Sequence, residues 1–143
     1  MADTTLEVLG EDECLSLLAQ AQYGRVAVVV DQARPEILPV NFVVHQRTVA
    51  FATSSPLLLT WAPLGNIAFE ADWVDLSSHE GWDVVVSGVG ADITDSLDNL
   101  SQLVREDQID IWAPGANDRW IAILKPSFAG RRLYRPAASP TFG

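Results

Sequence analysis

Apolar residues recur along the chain at two different spacings, and each spacing predicts a different kind of element. Two segments, Glu11–Gln22 and Asp95–Glu106, carry leucines and other apolar residues three or four positions apart, which predicts amphipathic helices. The first begins with three acids, which suit the positive end of a helix dipole. Asp95 is the residue we expect to cap the second helix.

The other apolar segments are short, rich in valine and isoleucine, and predict β-strands. Ser54–Ala62 predicts a turn of helix between two of them, with Pro56 tolerated near its start. The predicted strands are Arg25–Asp31, Ile37–His45, Thr48–Thr53, Asn66–Trp73, Trp82–Ile93, Arg119–Lys125 and Gly130–Arg135. The order of helix, strands, helix and strands favours a mostly β fold, an antiparallel barrel with flanking helices.

Some strand residues predict local irregularities. Five apolar residues run without alternation inside Arg25–Asp31, so we expect both faces of this strand to be buried. Pro39 cannot donate a ladder hydrogen bond, which predicts an edge or a bulge at that point. Gly88 and Gly90 lie inside a long strand and predict a bulge or the close approach of another backbone.

The length of 143 residues predicts a single domain, which we place at residues 1–135, with 136–143 as a flexible tail. Cys14 is the only cysteine, which excludes an intramolecular disulfide and a cysteine-based zinc site and fits a cytoplasmic location. The longest apolar run is far shorter than a membrane-spanning helix requires.

The formal net charge is −10, which argues against nucleic acid and against anionic membranes as partners. Residues 119–135 nevertheless carry five bases and no acid. The interpretation we favour is a basic hairpin lying on an acidic surface of the same molecule, and the alternative is an anion-binding site.

The sequence contains no catalytic signature of a hydrolase or a metalloprotease, and we predict no metal site. The two histidines, His45 and His79, are expected to face solvent or to form ordinary hydrogen bonds. Asp72 and Asp75 flank Trp73 as a possible carboxylate pair, although a solvated strand end is the favoured interpretation.

Several short segments, in this order, resemble the pyridoxamine 5′-phosphate oxidase-like family of flavin-binding split β-barrels. The resemblance extends from about Leu9 to Leu133 and is strongest to small actinobacterial-type and nitroimidazole-resistance-like members. The segments are Gly24–Val28, Pro39–Phe42, Gly81–Gly88, and Trp112–Gly115 followed by Gly130–Leu133.

This resemblance implies a homodimer of six-stranded antiparallel split β-barrels with FMN between the subunits, or a deazaflavin or haem in some branches. It implies that the flavin phosphate is held by an arginine at the start of the first barrel strand and by hydroxyls after the third strand. Trp112 matches the family's C-terminal tryptophan only loosely. The cofactor-binding residues expected on this basis are Arg25, Val26, Asn41, Thr53, Ser54, Ser55 and Trp112.

The chain departs from the family pattern at the phosphate site. Relatives read approximately Phe-Arg-Thr-x-x-Gly-x-Lys-Leu after the third strand, whereas this chain has Ala52, Pro56 and Leu58 in place of the arginine, glycine and lysine. Two cations and one backbone N–H donor are therefore missing. We hypothesise that bases of the C-terminal segment replace them, and the candidates are Arg119, Arg131 and Arg132.

Two functions remain open at this point. One is an FMN-dependent oxidoreductase of unknown substrate, in which the flavin carries the redox chemistry and no catalytic residue is assigned. The other is a non-catalytic split-barrel dimer that binds another flat aromatic ligand or no cofactor, which the apolar run Leu57–Trp61 favours because it would make the cleft apolar. Haem is a weaker option, because His45 or His79 would have to be its axial ligand.

Overall fold

Residues 3–21, 23–107, 115 and 117–136 are described by a computed structural model. Within these residues the chain forms seven β-strands and three α-helices, with a short 3-10 turn at Ala62–Leu64 after the second helix. In chain order the elements are β1 Thr5–Leu9, α1 Glu11–Gln20, β2 Tyr23–Val30, β3 Arg34–His45, β4 Thr48–Thr53, α2 Pro56–Trp61, β5 Asn66–Asp75, β6 Glu80–Asp92, α3 Asn99–Glu106 and β7 Arg119–Tyr134.

The strands form one antiparallel sheet that closes into a ring. Going round it, β2 pairs with β3, β3 with β4, β4 with β7, β7 with β6, β6 with β5, and β5 with β2. β1 lies outside the ring and extends it by pairing with β7. This closed ring of six strands confirms the split β-barrel predicted from the sequence.

The ring encloses the main hydrophobic core. Phe42, Phe51 and Phe69 are fully buried there, and the ring centroids of Phe42 and Phe69 lie 4.6 Å apart. Along β2 the buried residues alternate with more exposed ones, and Val29 on the outer face is 49% exposed. The prediction that both faces of this strand are buried therefore holds only for the inner face, because no described element covers Val29.

A second, smaller core lies on the outer face of the sheet, between β3, β4, β7 and α3. α3 begins at Asn99 because Asp98 caps it and accepts hydrogen bonds from the Ser101 backbone N–H at 2.9 Å and from its hydroxyl at 2.6 Å. These bonds hold the pKa of the Asp98 carboxyl far below its ordinary value. The expected cap at Asp95 was wrong, because the Asp98 carboxylate satisfies the first N–H groups of the helix.

The two strands predicted at the C-terminal end are one continuous strand, β7. Lys125 adopts a left-handed conformation with φ 51°, and the β6–β7 register shifts between Ser87 and Val89, so a bulge absorbs the irregularity without ending the strand. A Cβ on Gly88 would lie 2.5 Å from the Leu124 carbonyl oxygen. The bulge and close approach predicted at Gly88 are therefore confirmed.

Two other local predictions are confirmed. Pro39 lies on β3 where the strand pairs with β2 but before the pairing with β4 begins at Asn41, so it sits on a locally unpaired edge. A Cβ on Gly90 would collide with the carbonyl group of Ala62, which explains a glycine there. In the part of the chain that the structure describes, no helix has the length and apolar character needed to cross a membrane.

Candidate functional site

A groove of about 690 Å³ opens where the end of α1, the start of β2 and the ends of β5, β6 and β7 meet. This volume is within the range of small-molecule sites. Its walls combine apolar and aromatic side chains with a few charged or polar ones. The apolar members are Leu17, Ala21, Tyr23, Trp73 and Trp82, and the polar members are Gln20, Arg25, Asp72 and Arg132.

The aromatic wall of the groove comes from strand register. Trp73 on β5 and Trp82 on β6 are directly paired across the ladder, and Arg132 on β7 is paired with Trp82 on the other side. Trp73 is 51% exposed, so a large aromatic surface faces the groove unburied. Aromatic faces flanked by a cation suit a flat aromatic ligand with a polar or anionic edge.

Arg25 enters the same groove, but two carboxylates hold its guanidinium group. Its Nη1 donates to Glu70 Oε1 at 2.8 Å, and its Nη2 donates to Asp72 Oδ1 at 3.4 Å. Register places Glu70 directly opposite Arg25 in the β2–β5 ladder. The guanidinium also lies 5.9 Å from the ring centroid of Tyr23. The cation that the family resemblance assigned to a phosphate is thus engaged within the chain.

The carboxylates beside Arg25 repel one another. The pKa of Glu70 is raised above its ordinary value, first because the carboxyl is partly buried and second because Asp72 lies beside it, and the attraction of Arg25 only partly opposes these effects. Asp83, paired with Asp72 across the β5–β6 ladder, adds to the repulsion. The cluster therefore holds more negative charge than Arg25 neutralises.

The three C-terminal arginines considered as replacement cations, Arg119, Arg131 and Arg132, differ in their contacts. Arg119 contacts Asp92 at 2.6 Å, and Arg131 contacts Asp83 through Nη2 at 2.9 Å and Nε at 3.2 Å. The favoured interpretation, a basic segment on an acidic surface of the same molecule, is confirmed for these two, although the segment is one strand and not a hairpin. Arg132 differs, because it lines the groove and has no carboxylate of the described residues within 4.0 Å.

The hydroxyls after the third barrel strand cap a helix. Thr53 is buried, and its Oγ1 accepts a hydrogen bond from the Ser55 N–H at 3.0 Å. Ser55 is the N-cap of α2 and accepts from the Leu58 N–H at 3.4 Å. The Ser54 hydroxyl donates to the side-chain oxygen of Asn117 at 3.5 Å. None of these three hydroxyl residues lines the groove that contains Arg25.

The remaining predicted site residues are not brought together. Asn41 is buried on β3, paired in register with Tyr23 of the groove. Val26 is fully buried in the ring interior, and Trp112 lies outside the described residues.

The apolar run Leu57–Trp61 forms most of α2 and packs into the interior core, with Leu58 only 1% exposed. This run does not line the groove of Arg25, and the expectation that it makes a cleft between subunits apolar stays a prediction. Packing also explains why an apolar residue stands at position 58.

Trp73 and Trp82 of the groove wall, and Glu70 beside Arg25, were not among the site residues expected from the sequence, whereas Arg132 was named there as a candidate replacement cation. Alternation along β5 places Glu70 and Asp72 on one face, which is a signal visible in the sequence. The pairing of β5 with β2, which brings this face to Arg25, is not visible there. The carboxylate pair considered at Asp72 and Asp75 is instead Glu70 with Asp72, since Asp75 accepts hydrogen bonds from Ser77.

Both histidines form ordinary hydrogen-bonding contacts. His45 Nε2 lies 2.8 Å from Asp107 Oδ2, and His79 Nδ1 lies 2.7 Å from Arg135 Nη2, as the sequence led us to expect. Among the described residues, no group of three or more His, Cys, Asp or Glu side chains is placed to hold a metal ion.

A closed ring of six antiparallel strands with a ligand-sized groove at one end is the architecture of a split β-barrel protein. The model of the pyridoxamine 5′-phosphate oxidase family matches residues 10–131. The chain belongs to this family.

Comparison with individual proteins gives the same fold. The chain is 32% identical over 139 residues to the uncharacterized protein Rv0080 of Mycobacterium tuberculosis, covering 92% of this chain and 88% of that protein. It is 30% identical to the FAD binding protein from Mycobacterium smegmatis, with a TM-score of 0.66, and the match covers 90% of this chain and 98% of that one. A FAD-binding protein from Mesorhizobium loti shares the fold at 19% identity and a TM-score of 0.70, covering 89% and 97% of the two chains.

Proposed function

We propose that this protein binds a flavin, with the isoalloxazine ring in the groove between α1, β2 and the paired strands β5 and β6. The groove itself carries this proposal, because its volume of about 690 Å³ accommodates the ring and its walls present Tyr23, Trp73 and Trp82. Support comes from the Mycobacterium smegmatis relative, which is a FAD binding protein with 30% identity to this chain.

The residues present fit the ring of a flavin better than its phosphate. Trp73 and Trp82 offer apolar faces for the ring, and Arg132 offers a cation beside them. Gln20 supplies an amide able to hydrogen-bond the polar edge of the ring. For the FMN phosphate the only other cation in the groove wall among the described residues is Arg25, which Glu70 and Asp72 engage.

We propose further that the protein is an oxidoreductase and that its flavin is riboflavin or FAD rather than the FMN expected from the sequence, because Glu70 and Asp72 engage the arginine expected to hold the phosphate. A bound flavin supplies hydride-transfer chemistry, so the chain need only bind the ring, orient it and exclude water. The alternative is a split barrel that binds the flavin without catalysing its reduction and reoxidation. Reduction of the bound flavin by a nicotinamide donor, followed by anaerobic stopped-flow absorbance, supports the enzyme, and no reduction above the rate of free flavin supports the alternative.

We also propose that the protein is a homodimer. Apolar side chains on the outer face of the sheet support this, since Val29 is 49% exposed and Ile37 on the neighbouring strand is 68% exposed. A molar mass of twice the 15.6 kDa chain in light scattering after size exclusion is the expected result. A mass of one chain at micromolar concentration contradicts this part alone.

Binding is tested by titrating the purified protein into riboflavin, FMN and FAD and following the quenching of flavin fluorescence. We expect saturable binding of riboflavin or FAD at micromolar concentration, weakened at least about tenfold in Trp73→Ala, because stacking on that ring is lost. Leu103→Ala, at a side chain 49% exposed on α3 away from the groove, is the matched control and should bind as the wild type does. Absence of binding for all three flavins overturns the proposed function.

A further inference from the structure

We propose that Glu70 and Asp72 are specificity-determining residues that make the groove discriminate against flavins, and other planar heteroaromatic ligands, that end in a phosphomonoester. Both carboxylates form ion pairs with the guanidinium of Arg25, and they place negative charge beside it. This inference rests on the flavin site proposed above and assigns its selectivity.

The geometry behind this proposal is a cluster on four neighbouring strands, β2, β5, β6 and β7. Arg25 of β2 donates to Glu70 at 2.8 Å and to Asp72 at 3.4 Å, and both acids belong to β5. Asp83 of β6 stands directly opposite Asp72, where Arg131 of β7 contacts it at 2.9 Å. The three carboxylates thus form a row along the outer face of the sheet, with one arginine at each end.

The charge of this row is unfavourable for a phosphate. One positive group faces two carboxylates at the groove end, and Asp72 itself lines the groove together with Arg25. A phosphomonoester carries close to two negative charges above neutral pH. To contact Arg25 it must displace carboxylates that the fold fixes in register, and their negative charge then stays close by.

The far side of the groove points to the same selectivity. Arg132 lines the groove without a carboxylate partner among the described residues, beside Trp82 in the ladder. This arginine suits a ligand with a neutral polar edge or a single negative charge, such as the dione edge of a deprotonated or reduced ring system. It does not offset both a dianion and the acids around Arg25.

The experiment compares riboflavin with FMN, since the two ligands share the ring and differ by the phosphate. Dissociation constants are measured by fluorescence quenching at about pH 8, where the phosphate and the carboxylates are ionised. We expect the wild type to bind riboflavin at least about tenfold more tightly than FMN. The double variant Glu70→Gln/Asp72→Asn should bind FMN about tenfold more tightly than the wild type does, with riboflavin within about twofold of its wild-type value.

Glu36→Gln is the matched control, because Glu36 also pairs with an arginine across a short distance, Arg34 at 3.1 Å, but lies on exposed β3 outside the groove wall. It should leave both affinities unchanged. Equal wild-type affinities for the two ligands, or an unchanged FMN-to-riboflavin ratio in the double variant, overturn the selectivity proposal while flavin binding still stands.

Failure of the proposed function gives a different pattern. Absence of riboflavin, FMN and FAD binding in the wild type and in every variant overturns both proposals. If the wild type binds no flavin but the double variant gains FMN binding, the proposed flavin-binding function is overturned. The same result supports the proposal that Glu70 and Asp72 exclude the phosphate. If the double variant loses its cooperative thermal transition, the single variants Glu70→Gln and Asp72→Asn replace it, with an expected gain of about threefold each.

Discussion

The interior of the ring is held by buried apolar packing, whereas the groove is lined in part by exposed charged side chains. Inside, Phe42, Phe51 and Phe69 are at most 1% exposed and pack against valines and leucines. At the groove, the side chain of Arg25 is 40% exposed and those of Glu70 and Asp72 are each 33% exposed. The guanidinium of Arg25 forms ion pairs with both carboxylates. The interior contributes most to the stability of the fold, whereas the groove is where we propose that the ligand binds.

This difference allows the fold to be kept while the charges at the groove change. Burial of a large side chain contributes a few kcal/mol, so the interior tolerates little substitution. A half-exposed ion pair contributes at most about 1 kcal/mol, so charges at the groove can be exchanged with little cost to folding. The substitutions below test this separation in order of expected effect.

Phe69→Ala has the largest expected effect. The ring is fully buried against Phe42 and fills the space above Gly24, where a Cβ would collide with it. Its removal should lower the free energy of unfolding by about 3–5 kcal/mol, measured by guanidinium denaturation. Trp73→Ala, in the half-exposed groove wall, should lower it by less than about 1 kcal/mol. Similar losses for both variants contradict the separation of interior and groove.

Gly90→Ala is expected to have the second largest effect on the free energy of unfolding. The added Cβ meets the Ala62 carbonyl group, which is backbone and cannot rotate away, so β6 and the 3-10 turn must move apart. The expected loss is about 1–3 kcal/mol in the same denaturation experiment. Gly65→Ala is the control, because nothing lies within 4 Å of its Cβ position. A Gly90→Ala protein as stable as the control would show that this contact relaxes freely.

Arg132→Gln should leave folding nearly unchanged and weaken binding. Arg132 is half-buried in the groove wall and has no carboxylate partner among the described residues, so its loss breaks no ion pair there. We expect riboflavin affinity to fall about tenfold, as for the loss of one charge-assisted contact, with the melting temperature within a few degrees of the wild type. Arg131→Gln, which breaks the contact with Asp83, serves as the comparison and should retain more affinity. Equal riboflavin affinity in the wild type and in Arg132→Gln would show that Arg132 does not contribute to binding.

The smallest expected effect is on the pH dependence of stability. Because the pKa of Glu70 is raised in the folded chain, the folded state binds more protons than the unfolded state between the ordinary value of 4.5 and the raised one. Stability should therefore fall as pH rises through that window, and Glu70→Gln should reduce this fall in denaturation curves collected at successive pH values.

Asp75 should change the stability with pH in the opposite direction from Glu70, and it serves as the contrast. The pKa of its carboxyl is lowered, first by hydrogen bonds from Ser77, so its contribution is present above the ordinary value of 3.8 and is lost as pH falls below it. Asp75→Asn should change only this acid limb. A Glu70→Gln curve that runs parallel to the wild type from pH 4.5 upward would contradict the assignment of the raised pKa.

The interior could be predicted because local pattern determines it. β4 begins and ends at the predicted residues, Thr48 and Thr53. The inner face of β2 is buried as predicted, although its outer face, also expected to be buried, exposes Val29. β1 was not predicted, because most residues of Thr5–Leu9 are exposed on an added edge strand and carry little apolar periodicity. Arg119–Lys125 and Gly130–Arg135 were predicted as separate strands, and only the bulge opposite Gly88 shows that β7 continues between them.

The groove could be predicted only in part because long-range register determines it. Arg25 was identified, but its partner Glu70 lies 45 residues away and meets it through the β2–β5 ladder. Trp73 and Trp82 become neighbours only when the β5–β6 register is fixed. No residue pattern within one strand specifies which strand lies beside it, so the charge of the site stayed hidden.

The position of β7 in the chain has a consequence for how the protein is made. This strand pairs with β1, β4 and β6, yet it is the last of the seven described strands to be synthesised. Until it leaves the ribosome, β4 and β6 each lack one neighbour and β1 has none, so nascent chains expose open sheet edges. Closure of the ring is therefore a late, long-range event, and slowing translation before Arg119 should prolong the interval in which the nascent chain is prone to aggregate.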